Sequence, residues 1–396
     1  MSSSLLPRSD WGLEPDIRFL NHGSFGAAPL AVLEHQRELQ RQAEAEPVRF
    51  YARELTERID HARSRLAEFV GASVSNLVFV SNATTAVNAV LRSFPFEAGD
   101  ELLVTNHGYN ACRNVAEYVC QQAGARVVVA DIPFPISSCE AVVEAVMDKV
   151  SDRTRLAMFD HVTSPTALVL PVEELVSSLE ARGVRTLVDG AHAPGMLPLQ
   201  RDELGASYYT GNCHKWMCAP KGAALLWVRP DLQESVRPTV VSHGANSPRP
   251  GASRFEVEFG WVGTDDPTAF LTIPYVIDHF EAALPGGWEE LREGNRRLVL
   301  AGRDRLCDAL GVEPPAPDDM IGSLATVPLP ARDDGGAAGA FDLDPLHVSL
   351  FEDYRIEVPV MAWPAFPRRV LRISSQAYNE AAEYAALAEA LRETLA

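Results

Sequence analysis

The chain has 396 residues, 46% hydrophobic and 22% charged, ordinary values for a folded protein long enough for two or three domain-sized units. Its formal net charge of −19 disfavours a nucleic-acid or anionic-membrane partner, because such surfaces repel an acidic protein. There is no apolar run near the roughly 18 residues of a membrane helix and no signal-peptide core, and six scattered cysteines suit reduced thiols, so a cytoplasmic protein is expected.

Residues 1–20 have the composition of an arm, and IRFLNHGSFGAAP (17–29) predicts a short strand entering a Gly- and Ala-rich turn. Asn21 and His22 in that turn either touch a ligand or cap the helix that begins after Pro29. Two helices follow. The second, 53–70, sets Leu55, Ile59, Ala62, Leu66 and Phe69 on one stripe, the mark of a helix packed on a core. Leu77–Val80 is an apolar strand. The turn 81–85 then opens a helix near Thr84, whose hydroxyl-flanked N-terminus suits either an anion or simple capping.

Strand and helix then alternate. Strands at 101–106, 126–132, 155–164 and 185–189 are separated by helices at 109–122, 140–150 and 172–182. That order predicts an α/β fold with a mostly parallel sheet covered by helices on both faces. Polar residues gather at the strand ends: His107 with Tyr109, His161 with Thr163 and Ser164, Asp189 with His192. Their recurrence on one edge of an apolar sheet suggests a pocket, since burying polar groups without purpose is costly. Short strands at 206–210 and 223–228 follow, with the pair His214–Lys215 between them.

The segment 241–267 looks like a loop, with Gly263-Thr264 leading into a helix at 267–283. A smaller α+β unit begins near Trp288. It comprises a helix, a strand near 323–329, a Gly/Ala-rich mobile loop at 333–340, a helix, strands in EVPVMAW and RRVLRIS, and an amphipathic helix from Glu380. The expected division is an arm at 1–20, a large domain at 21–284 and a small domain at 285–396.

Asp189 and Lys215 make the chemical case. Ligand sites in open α/β sheets lie outside the carboxyl ends of the strands, so the two can converge on one cleft. A lysine amine there can hold pyridoxal phosphate as a Schiff base, while an acidic residue pairs with the pyridinium nitrogen. Cys213, His214 and Cys218 lack a second ligand pair with zinc spacing and suit packing around the lysine better than a metal.

Eight blocks appear in order along nearly the whole chain: FLNHGSFGAAP, NATTAVNAVLRS, NHGYNACR, DHVTSPTALVLPV, VDGAHAPG, GNCHKWMCAPKG, GWVGTDDPTAFL and LRISSQAYN. Together they resemble the class V aminotransferase superfamily of fold-type I pyridoxal-phosphate enzymes, and within it the isopenicillin N epimerase-like subgroup. The resemblance implies that Lys215 is the Schiff-base lysine and proton carrier, that Asp189 pairs with the pyridine nitrogen, and that His192 sits near the ring's phenolic oxygen. It implies a phosphate cup of Ala83, Thr84 and Thr85 joined by Asn212 and His214. It puts His107 on the cofactor ring, with Tyr109 as the alternative stacker or a second acid/base. Thr264 would reach the cofactor of a partner subunit, implying a homodimer with shared sites. Arg372 would grip the substrate α-carboxylate, and Asn21 would be an N-terminal substrate contact.

Two departures bear on the reaction. There is no cysteine after Cys307, where desulfurases of the superfamily carry their nucleophile, so desulfurase chemistry is disfavoured. Where many relatives have Ser-Asn before a Gly, this chain has Thr163-Ser164-Pro165, so Ser164 takes the cofactor-binding position. The resemblance places Cα epimerisation of an amino acid or an amino-acid-containing substrate first and a carbon–sulfur β-elimination lyase as the alternative, with transamination behind both.

Overall fold

The computed structural model describes residues 4–332 and 343–395; the Gly/Ala-rich stretch 333–340 lies outside them. The chain starts with β1 (Arg18–Phe19), a one-turn helix (His22–Phe25) and a long helix (Leu30–Ala45). The next helix differs at its start from the sequence expectation. A π-helical turn over Phe50–Glu54 precedes the regular helix Leu55–Phe69.

A seven-stranded sheet forms from β2 (Leu77–Val80), β3 (Glu101–Thr105), β4 (Arg126–Ala130), β5 (Thr154–Asp160), β6 (Arg185–Asp189), β7 (Tyr208–Asn212) and β8 (Ala224–Val228), in the order β2-β8-β7-β6-β5-β3-β4. Only β8 runs against its neighbours, so the other six strands deliver their C-terminal ends to one edge. Side-chain alternation splits the sheet between two cores. Phe79, Leu103, Ala157, Val188 and Leu225 face one, while Val78, Leu102, Leu156, Leu187 and Leu226 face the other. Burial on both faces explains why these strands are apolar runs rather than alternating ones.

Three expectations need correction. The strand expected at 206–210 lies two residues later, because its register is set by pairing with β6 and β8. The segment 241–267 contains a helix, Arg254–Gly260, nucleated by a capping box in which Ser253 and Glu256 exchange side-chain and backbone hydrogen bonds. The helix expected at 267–283 is two helices, Thr268–Leu271 and Ile273–Ala283; Pro274 lies in the first turn of the second, where its missing N–H costs nothing.

In the C-terminal unit, β12 (Arg369–Ser374) pairs antiparallel with both β9 (Leu324–Leu329) and β11 (Val360–Ala362). Helix Gly287–Leu310 packs on this sheet, and helix Ala381–Leu395 packs against that helix. The N-terminal arm is fastened to this unit: β1 pairs parallel with β10 (Ile356–Glu357), and buried Trp11 lies edge-on against Tyr378 at 4.8 Å. No helix among the described residues is long and apolar enough to cross a membrane.

Candidate active site

The common edge of the sheet collects the predicted residues. β6 ends in Asp189, with β7 and the loop bearing Lys215 on one side and β5 and then β3, leading to Tyr109, on the other. Asp189 is buried. Its Oδ1 accepts from the Ala191 N–H at 3.0 Å and its Oδ2 from the Cys112 thiol at 3.2 Å. Burial raises its carboxyl, and those two hydrogen bonds and Lys215 pull it back. Its register partner on β5 is Asp160, also buried and raised by burial and by Asp189 itself. Two neighbouring buried carboxyls cannot both ionise cheaply, so the pair retains one proton between them.

Lys215 keeps a small opening to the cleft, and its Nζ lies 3.3 Å from His192 Nε2. It has no acidic partner within ion-pair distance among the described residues. Burial first, and then Arg372, lower its amine to about 8, while Asp189 and Asp160 oppose the shift. The Trp216 indole N–H donates to His192 Nδ1 at 3.2 Å. An indole nitrogen can only donate, so the neutral His192 ring carries its proton on Nε2, facing the lysine. Burial and the Lys215 charge hold His192 well below its usual range.

The loop around Lys215 is gripped from outside the cleft. His22, fully buried, contacts the Lys215 carbonyl oxygen through Nε2 and the Tyr378 hydroxyl through Nδ1, each at 3.0 Å. A carbonyl only accepts, so Nε2 donates to it and Nδ1 accepts from the tyrosine. Burial lowers His22 to about 3, which keeps the ring neutral. Gly26, at φ +72°, presses on the backbone at His214 and Lys215 so closely that a Cβ would collide with the His214 carbonyl.

The helix Ala83–Ser93 points its N-terminus at the same edge. The Ala83 N–H is occupied by Asn212 Oδ1 at 2.9 Å, and the Thr85 N–H by the capping Asn82 Oδ1 at 2.8 Å. Of the first three N–H groups, Thr84's alone has no partner among the described residues. An anion here would meet Thr84 directly and would have to draw Asn212 away to reach Ala83. His214 Nδ1 donates to the Ala223 carbonyl at 2.9 Å, and burial lowers its ring to about 4. Its Nε2 therefore presents a lone pair and would need a proton to bond an anion. Thr264 is exposed and borders a groove with Ser81, Thr85, Val240 and Val262.

His107 is sealed. It is fully buried, with Nδ1 2.6 Å from the Thr166 hydroxyl and Nε2 3.0 Å from the Ile132 carbonyl, and its ring packs 4.6 Å from Trp363. The ring has neither a free nitrogen nor an open face for a ligand. Tyr109, two residues on, is 46% exposed and close enough to Arg372 to favour the guanidinium's charge. It also borders a small cavity with Asp160, Asp189 and Cys112.

Arg372 on β12 is buried with three hydrogen-bond contacts, none to an acid: the Ser164 carbonyl at 2.7 Å, the Ser164 hydroxyl at 3.2 Å and the Ser24 hydroxyl at 2.9 Å. Ser164 is thus tied to the arginine. Asn21 is also one step removed from the cleft, because its carbonyl accepts from Ser24 and its amide donates to Glu357. Sequence reasoning missed Ser24 and Glu357, because Ser24 meets Arg372 across 348 residues and Glu357 meets Asn21 across 336.

These groups fit pyridoxal phosphate. A lysine with a lowered pKa faces the cleft, a buried carboxyl stands ready for a ring nitrogen, an open helix N–H with a threonine hydroxyl suits a phosphate, and an arginine without an acid partner suits a carboxylate.

The family model described as Aminotransferase class-V matches residues 24–249. The isopenicillin N epimerase of Amycolatopsis lactamdurans is 36% identical over 400 residues, covering 98% of this chain and 97% of that protein. A probable chloroplastic L-cysteine desulfhydrase of Arabidopsis thaliana is 31% identical over 403 residues, covering 96% and 83%. Among solved structures, C-DES with glycine covalently linked to its PLP cofactor superposes with a TM-score of 0.79 at 20% identity, covering 98% of this chain and 99% of that one.

Proposed function

This chain belongs to the aminotransferase class-V family of pyridoxal-phosphate-dependent enzymes that act on amino acids, and we propose that the reaction here is Cα epimerisation started by Lys215. When bound, pyridoxal phosphate acidifies the substrate Cα–H bond by accepting its electrons into the pyridinium ring. Arg372 holds the substrate carboxylate through its planar fork. Asp189 holds the proton of the ring nitrogen, and with one proton retained between it and Asp160 the pair supplies a single negative charge. Lys215, with its amine near 8, takes the Cα proton as general base.

The observation that carries the epimerase reading is the position of Tyr109. Lys215 and Tyr109 come from strands on opposite sides of Asp189, and the partly exposed tyrosine lies near the carboxylate-binding arginine. A phenol placed there can return a proton to the side of Cα away from the lysine. His107 cannot, because both ring nitrogens are engaged. With His107 sealed, Tyr109 is also the residue we assign to the cofactor ring face.

The reaction is tested by proton NMR in deuterium oxide with amino acids, cysteine conjugates and an aminoadipyl peptide. Deuterium at Cα with inverted configuration supports epimerisation, and Tyr109→Phe should keep Cα exchange while losing inversion. A keto acid appearing with a released thiol would replace this reading with β-elimination. That second reading is favoured by the desulfhydrase relatives and needs only Lys215 as base. We further propose a homodimer joined near Thr264, where Val240 and Val262 are exposed along one groove. Light scattering showing a fully active monomer would refute it.

A further inference from the structure

The guanidinium of Arg372 poses a physical problem. A buried cation needs orienting contacts, but an acidic partner would cancel its charge and take the place of an incoming carboxylate. Its contacts here orient it without neutralising it: Ser164 meets Nη1 through its carbonyl and its hydroxyl, and Ser24 Oγ meets Nη2.

Ser24 is itself held in one orientation. Its hydroxyl donates to Asn21 Oδ1 at 2.5 Å, which turns its lone pairs toward Arg372. The Asn21 amide donates through Nδ2 to Glu357 Oε1 at 2.8 Å, and this fixes which end of the amide faces the serine. The same Glu357 oxygen contacts His347 Nε2 at 3.2 Å. Burial raises the Glu357 carboxyl, but the hydrogen bonds from His347 and Asn21 outweigh it and hold the group below its usual range, so Glu357 is an anion. An anion can only accept. From that end the proton positions follow without ambiguity: Asn21 donates to Glu357 and accepts from Ser24, and Ser24 accepts from Arg372.

The backbone under Ser24 is anchored on both sides. His22 N–H donates to the Ser374 hydroxyl at 2.7 Å, and Gly26 sits against Lys215 with no room for a Cβ. Ser24 therefore stands at a fixed place between the arginine and the lysine loop.

We propose that Glu357, Asn21 and Ser24 form a positioning relay that sets the plane of the Arg372 guanidinium for an amino-acid α-carboxylate, with the relay's negative charge kept at its far end. This rests on Arg372 being the carboxylate site. The relay is specific to the carboxylate: it acts through Arg372 and touches neither the cofactor residues nor Lys215 Nζ.

The test follows the visible absorbance of the holoenzyme during titration with glycine and, separately, with glycinamide, which lacks the carboxylate. Ser24→Ala should weaken glycine about tenfold, the loss of one hydrogen bond to a charged group, with glycinamide and cofactor affinity unchanged. Glu357→Leu should weaken glycine in the same direction. The double variant should be no worse than Ser24→Ala alone, because both act along one chain. Ser24→Thr, which keeps the hydroxyl, should restore glycine binding. Unchanged glycine affinity in Ser24→Ala, an equal loss for glycinamide, or additive effects in the double variant would overturn the relay. If Arg372→Ala binds glycine as tightly as the parent, the carboxylate assignment itself fails; if only the Ser24 and Glu357 variants are silent, that assignment stands and the relay alone falls.

Discussion

Lys215→Met is the substitution whose consequence can be worked furthest. Methionine keeps the length of the side chain and removes the charge. In the folded protein the lysine amine is lowered from 10.5 to about 8, chiefly by burial and then by Arg372. The folded state thus disfavours the ammonium form, and that cost is full below pH 8 and fades as pH rises from about 8 to about 10.5. A shift of this size corresponds to about 3 kcal/mol at pH 7 and about 1.4 kcal/mol near pH 9.5. Methionine removes the cost. At pH 7 it breaks no hydrogen bond to His192, because the ammonium and the His192 Nε2–H are both donors; near pH 9.5 the neutral amine accepts from that N–H, a contact worth about 1 kcal/mol. Cofactor-free Lys215→Met should therefore be more stable than the cofactor-free parent by about 3 kcal/mol at pH 7, and by almost nothing near pH 9.5. Urea unfolding of both proteins at the two pH values reads this directly through the transition midpoints. A variant that is less stable at pH 7, or whose advantage grows with pH, would refute the placement of an unpaired lysine in this cleft.

Two further outcomes follow from the same edge of the sheet. Asp189→Asn should lower Cα exchange by about 10²–10³-fold in the NMR assay, the usual scale for removing one preorganised electrostatic contact. Gly26→Ala puts a side chain at a left-handed φ and into the His214 carbonyl, so fluorescence titration should show markedly weaker cofactor binding while circular dichroism stays close to that of the parent. A Gly26→Ala protein that binds cofactor normally would show that the N-terminal segment does not brace the lysine loop.

The sheet was legible in the sequence because strands buried on both faces have nothing to alternate. Leu77–Val80 and Ala224–Val228 are unbroken apolar runs. Asp189 stood out for the same reason, at the end of Leu187-Val188, whereas Lys215 follows the polar-ended strand Tyr208–Asn212 and stood out through the motif around it. The helix Arg254–Gly260 was hidden behind Pro248, Pro250 and Gly251, although Ser253 and Glu256 carried its capping signal. The choice between His107 and Tyr109 was beyond local reasoning, because His107 is closed off by Trp363 from the C-terminal unit. Asn21 was expected to contact substrate; in the structure its side chain is engaged by Ser24 and by Glu357, a partner no spacing rule would suggest.

The fastening of the arm to the far end of the chain sets an order of events during synthesis. Asn21 meets Glu357 across 336 residues, His22 meets Ser374 across 352, and β1 pairs with β10. The seven-stranded sheet uses only residues between Leu77 and Val228, so it can form while the ribosome is still translating the last third of the message. The brace under Lys215 cannot, because Tyr378 and Ser374 have yet to emerge. Until residues 374–378 have been made, His22 lacks the two partners, Ser374 and Tyr378, that hold it against the Lys215 carbonyl.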